Sequence, residues 1–227
     1  SGPFTNLPNM VFLPIFMQKS HLKLSSSCIP DMWRFVLSIF IIILSIGNLR
    51  AEIRNVRVIT INGTINPSTS DFIHEQIRHA EEEHSECLVI CMNTPGGLLK
   101  STRVIVSDIL SSRIPIVVYV SPAGSQAASA GVFITLAAHL AVMAPGTNIG
   151  AAHPVTIGEQ QDSIMMQKTT NDAAAFIRTI SEKRHRNIQW AEDAVRKSLS
   201  ITETEALKAN IIDTIAATLD DLLRIID

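Results

Sequence analysis

Two short runs constrain the fold most: "CLVICMN" (Cys87–Asn93) and "IPIVVYV" (Ile114–Val120). Each is almost continuously apolar, rich in β-branched residues, and too short to make a buried helix. Strands apolar on both faces belong to parallel sheets with both faces covered, because the crossovers between parallel strands supply the cover. The segments between the runs carry a different period. In "STSDFIHEQIRHAEEEH", Phe72, Ile73, Ile77 and Ala80 share one helical face, and Pro67 with Ser68–Ser70 marks the start. In "LLKSTRVIVSDILSS", Leu98, Val104, Ile105, Ile109 and Leu110 recur at helical spacing. "VRVITI" (Val56–Ile61) precedes them as a strand, "SAGVFITLAAH" follows as a helix and "LAVMAPG" as a fourth strand. The pattern predicts an α/β domain whose mostly parallel sheet is covered by helices.

The remainder reads as one continuation of that domain, from about residue 52 to 227. Thr147–Gln161, rich in Gly, Pro and polar residues, is expected to be a long loop over one sheet edge. A long helix is expected from about Ser163 to Arg186, shorter ones over Gln189–Ser198 and Thr202–Ala209, and a last short strand in "NIIDTIA". Lys183–Arg186 is expected to be a solvated helix end. The apolar stretch "VFITLAAHLAV" is short and interrupted by His139, so it is not expected to span a membrane.

Ahead of this domain, "MWRFVLSIFIIILSIGNLRA" sets Met32 and Arg34 before an apolar run, Phe35–Gly47, and ends on Ala51. That is the layout of a signal peptide or N-terminal anchor over residues 32–51, and it predicts an exported domain on the periplasmic or extracellular side. Residues 1–31 read as a non-native upstream extension.

Composition narrows the function classes. A net charge of −2, few aromatics and no basic run argue against nucleic acid. After Ala51 only Cys87 and Cys91 remain. In one strand they stand about 13 Å apart, too far for a disulfide, and no motif suggests a metal site. His74, His79 and His84 recur five residues apart on a charged helix and do not share a face. His139 is expected to cap the helix it ends.

Two segments carry chemistry. "SPAGSQAASAG" encloses Ser129 in small residues just before an apolar helix, with Ala127 and Gly131 at the glycine places of G-x-S-x-G. A nucleophile held at a sharp strand-to-helix turn needs small neighbours and close substrate approach. A helix-capping or packing serine would fit the same residues. "MNTPGG" (Met92–Gly97) follows a strand, and its glycines leave backbone N–H groups able to hold a developing negative charge. A tight turn before a helix is the alternative there. No G-x-G-x-x-G occurs, so a dinucleotide loop is not expected.

With "SQAASAG…LAAHLAVMAPGTNIGAAHPV" and "SLSITETEALKANIIDTIA", these blocks resemble the NfeD-type membrane serine peptidases. That family shares a class with the Clp protease proteolytic subunit and the signal peptide peptidases. The resemblance covers essentially everything after Arg54. It implies a ClpP/crotonase-like fold of repeated β-β-α units and a serine endopeptidase. In that reading Ser129 is the nucleophile, Lys168 in "MMQKTTND" the general base, and the N–H groups of Gly97 and Ala130 the oxyanion hole. Gly96, Leu98, Gly150 and His153 would flank the substrate strand. No cofactor and no metal are implied. The implied partners are hydrophobic segments of membrane-associated proteins, including stomatin-like ones, and a second copy of the chain, as at least a homodimer.

A lysine serves as a base only when neutral, which an apolar pocket favours. Met165, Met166 and Ala173–Phe176 are expected to provide one. A Clp-like Ser129–His153 pair is the alternative, but the place of the orienting acid holds Arg196 or Lys197, with Asp193 out of register. Two further readings are a non-catalytic scaffold of the same fold and an acyl-CoA enzyme, whose glutamate pair is not evident.

Overall fold

The computed structural model describes residues 55–155 and 163–227, together with Val36; apart from Val36, the signal-like segment and the upstream extension lie outside the described residues. Residues 53–227 make one compact unit. Its main sheet has five parallel strands, β1 (Val56–Asn62), β2 (Cys87–Asn93), β3 (Ile116–Val120), β5 (Leu140–Met143) and β8 (Thr214–Ile215), side by side in that order. Between them run α1 (Pro67–Glu82), α2 (Leu99–Ser111) and α3 (Ala130–Ala137). Asn66 starts α1 by accepting the Thr69 N–H at 3.0 Å, with Pro67 in the first turn.

The alternation along the central strands is resolved into two cores. Leu88, Ile90 and Met92 of β2, with Ile116, Val118 and Val120 of β3, face one large cluster that also holds Ile73 and Ile77 of α1, Ile105 and Ile109 of α2, and α3. Val89, Val117, Tyr119 and Val142 point the other way, into a smaller cluster with Leu222. Leu222 lies on α7 (Leu219–Ile226), a C-terminal helix that the sequence reading leaves unassigned. At the edge of that face Val58 remains exposed.

A second sheet departs further from expectation. Three-residue strands β4 (Gln126–Ala128), β6 (Asn148–Gly150) and β7 (Ser200–Thr202) pair in that order, β4 with β6 parallel and β6 with β7 antiparallel. The segment expected to be all loop from Thr147 to Gln161 therefore opens with a strand. Residues 156–161 of it lie outside the described residues.

Helix α4 (Ser163–Lys183) ends before Arg186, and of the basic turn only Lys183 and His185 are exposed, whereas Arg184 is half-buried and Arg186 buried. Arg186 is 6% exposed and donates to the carbonyls of Leu136, Ala138 and Ile211 and to Asp213, while Arg184 donates to the Ala137 carbonyl at 2.7 Å. The reason is α3. All eight of its residues are buried, so its last carbonyls have no water to meet and are satisfied by two guanidinium groups instead. His139 is likewise not a helix cap: its Nδ1 accepts the Ile116 N–H at 3.1 Å, at the start of β3. Helices α5 (Ile188–Arg196) and α6 (Glu203–Lys208), the latter opened by a Thr202–Glu205 capping box, complete the chain around the second sheet.

Candidate active site

Ser129 sits where the small sheet meets the buried helix. It follows β4 directly and precedes α3, with φ 52° and ψ −110°. Such a backbone is sparsely populated for a residue with a Cβ, and holding it costs on the order of 1–3 kcal/mol. The neighbours enforce it: the Ser129 N–H donates to the Gly150 carbonyl at 3.0 Å, and β4 is pinned through Ala128 N–H to the Thr94 carbonyl at 3.0 Å. Gly131 is needed for close packing, since a Cβ there would stand 2.8 Å from Thr94 Cγ2. The strand-to-helix turn anticipated around Ser129 is thus present, and its hydroxyl makes no hydrogen bond among the described residues.

The "TPGG" turn lies against it. Gly97 pairs with Ile65 so closely that the Ile65 N–H reaches the Gly96 carbonyl and the Leu98 N–H reaches the Ile65 carbonyl, both at 2.9 Å. That pairing consumes the polar groups on either side and leaves the Gly97 N–H without an acceptor among the described residues. Ala130, at the first position of α3, likewise has an N–H with no acceptor there. Gly97, Ser129 and Ala130 line one cleft of about 840 Å³. In one cleft, an unencumbered hydroxyl can attack a carbonyl carbon and two free donors can stabilise the oxyanion that forms on the carbonyl oxygen.

The other expected residues divide. Leu98 and His153 line the cleft with Ser129; Gly96 and Gly150 do not. Gly96 lies under Ser129, where a Cβ would come within 2.5 Å of the serine Cβ, and its N–H donates to Thr94 Oγ1. Gly150 gives its carbonyl to Ser129 and abuts Leu199 and Ser200. Both glycines support the Ser129 backbone, and neither lines the cleft. Among the described residues, His153 has no carboxylate partner. Its Nδ1 stands 2.8 Å from the Val195 carbonyl, which can only accept, so Nδ1 carries the proton and Nε2 the lone pair. Asp193 is taken by Lys197 at 3.0 Å.

Lys168 departs most from expectation. Its helix borders the cleft through Thr169 and Ala173, but Lys168 itself is exposed, as is Met165. Of the apolar neighbours expected to bury it, Ala173 and Ala174 face the core, and five and six residues along α4 they stand roughly 120–140° around the helix from Lys168.

Sequence reasoning missed three parts of the cleft. Ile65 follows β1 in a stretch, "NGTINP", that reads as an ordinary turn. Phe133, one turn beyond Ala130, was indistinguishable from the rest of an apolar helix. Thr102 is a third, its hydroxyl bonded to the Leu98 carbonyl at 2.9 Å.

A sequence model of the NfeD1b N-terminal domain family matches residues 55–220. The chain is 38% identical over 195 residues to membrane-bound protease PH1510 of Pyrococcus horikoshii, an alignment covering 85% of this chain and 44% of that protein. Among solved structures it is similar to the 1510-N membrane-bound stomatin-specific protease in a serine-to-alanine variant, with 38% identity, TM-score 0.71, and 75% of this chain and 84% of that one covered. A lysine-to-alanine variant of the same protease, in complex with a substrate peptide, matches at 37% identity and TM-score 0.71, covering 75% and 79%. ClpP1 of Listeria monocytogenes shares the fold at 20% identity and TM-score 0.60, over 73% of this chain and 94% of that one. The chain spans less than half the length of the curated relatives it matches. It belongs to the NfeD1b N-terminal domain family, and its fold is ClpP-like.

Proposed function

We propose that this NfeD-family domain is a serine endopeptidase that cleaves hydrophobic segments of membrane-associated proteins, with Ser129 as nucleophile and Lys168 as general base. The observation that carries the reading is the strained Ser129 turn in one cleft with two unpaired N–H groups, Gly97 and Ala130. Ser129 Oγ attacks the peptide carbonyl, the two N–H groups take up the charge on its oxygen, and Lys168 accepts the hydroxyl proton and passes it to the leaving amine. The relatives support this choice of base, since the two variants solved for the stomatin-specific protease replace a serine and a lysine. Lys168 is exposed on the helix whose Thr169 and Ala173 line the cleft, so an apolar peptide laid along the cleft would cover this part of α4.

The same reading places the domain at a membrane, as the names of its relatives say of them, and on the exported side, following the signal-like segment at 32–51. Stomatin-like proteins are the proposed substrates, and self-association into at least a dimer is part of the proposal. A Ser129–His153 pair has one observation in its favour, the free Nε2 of a ring already oriented in the cleft.

Cleavage of an apolar peptide decides between them. Ser129→Ala and Lys168→Ala should both abolish turnover, while His153→Ala retains measurable activity. Loss in His153→Ala with activity in Lys168→Ala would overturn the dyad. Activity in Ser129→Ala would overturn the peptidase reading altogether.

A further inference from the structure

The cleft beside Ser129 has a floor with an unusual backing. Phe133 is 2% exposed and lines the cleft one helical turn beyond Ala130. Its ring stacks on Phe176 of α4, with centroids 5.5 Å apart and planes at 21°. Over the Phe176 ring lies the guanidinium of Arg103, 4.1 Å from the centroid, and Arg103 is tied in turn to Asp172 at 2.6 Å. Three planar groups from three helices therefore pile up behind one wall of the cleft. Stacked planes resist displacement: stacking and the cation–π contact both weaken when one ring tilts or slides. A floor of methionine or leucine could change rotamer to admit a larger group, and this one cannot do so without breaking the pile.

Several polar groups along the walls are already engaged within the chain. The Thr102 hydroxyl donates to the Leu98 carbonyl, the Thr169 hydroxyl to the Met165 carbonyl, and Asn66 Oδ1 accepts from Thr69. Around Phe133, with Ile65, Leu98 and Ala173, the lining is apolar, and what such a surface can distinguish is size.

We infer that Phe133, held in place by Phe176 and Arg103, is a specificity-determining residue: it sets the depth of the side-chain pocket beside Ser129, so that medium aliphatic side chains are accepted at the cleavage position and aromatic ones are excluded. This rests on the peptidase reading above and deepens it by naming the side-chain class read at the cut. Removing the Phe133 ring opens space below the aliphatic position, and removing Arg103 frees Phe176 to tilt and lets Phe133 follow.

The test uses the full chain and a peptide series differing only at the residue before the cut: Ala, Leu, Phe and Trp. Discrimination by an apolar pocket runs at about 10-fold or more per misfitting methylene. Phe133→Ala should therefore shift the kcat/KM ratio of Leu to Phe peptides by at least about 10-fold toward Phe. Arg103→Ala is the second variant. Its side chain lies at the surface, so the chain should fold normally and show a smaller shift in the same direction. A parallel fall for all four peptides in Phe133→Ala, with no change of preference in Arg103→Ala, would overturn the assignment of Phe133. Turnover that survives Ser129→Ala would instead overturn the peptidase reading, and the pocket assignment with it.

Discussion

Gly97→Ala is the substitution whose outcome the structure defines most sharply. A Cβ at that position would stand 1.9 Å from the Ile65 carbonyl oxygen and 2.6 Å from its carbon and nitrogen, all backbone atoms that no rotamer change can move. Ordinary contact begins near 3.4 Å, so the two segments must part by about 1.5 Å. That movement breaks the two hydrogen bonds that join them, Ile65 N–H to Gly96 and Leu98 N–H to Ile65, each 2.9 Å long. At about 0.5–1.5 kcal/mol apiece, the loss of stability should be roughly 1–3 kcal/mol. The same displacement carries the Gly97 N–H away from the oxyanion position. Losing one such donor lowers turnover by about 10²–10³-fold, roughly 2.7–4 kcal/mol of transition-state stabilisation. Urea unfolding reads the first effect, and kcat/KM on an apolar peptide reads the second. Gly124→Ala is the control, because Gly124 has open space where its Cβ would be and only the strain of its left-handed φ, 83°, to set against the substitution. It should cost some stability and leave kcat unaltered. Wild-type turnover in Gly97→Ala would refute both the close pairing with Ile65 and the role of the N–H.

Two further outcomes follow from the buried end of α3. Arg186→Met should destabilise the chain by about 3–5 kcal/mol in urea unfolding, because it leaves Asp213 and three carbonyls around Arg186 without their donor; a loss under about 1 kcal/mol would refute that role. His139 is held below its ordinary value of 6.5 by burial, and then by the neighbouring Arg184 cation. The folded state thus binds that proton less readily than the unfolded chain, so stability is full above about pH 7 and declines as pH falls through the 6.5 of the unfolded chain. His139→Asn, which keeps an acceptor for the Ile116 N–H, should flatten this part of the pH–stability curve; an unchanged slope would exclude His139 as its source.

Much of the architecture follows from periodicity alone. β3 is apolar at every position and β2 at every position before Asn93, and a strand apolar on both faces requires cover on both, which points to a parallel α/β sheet from the pattern alone. The crowding of small residues around Ser129 is similarly local: a strained turn tolerates no bulk, and the residues that satisfy it are contiguous. Other features have no local signature. Strands of three residues span barely one period, so β4, β6 and β7 could not be separated from loop, and with them went the true role of Gly150. Arg186 looks like any basic helix end, because what it bonds are backbone carbonyls of a helix fifty residues away, and carbonyls leave no trace in sequence. Lys168 shows the converse limit. Its apolar neighbours indicate which faces of α4 seek burial, but whether the lysine shares that face depends on how α4 rotates against α3, and this is settled by the packing of Ala173, Ala174 and Ile177. Chain pattern determines what each element must hide; only the packed structure decides what it hides against, and so which groups are left free to react.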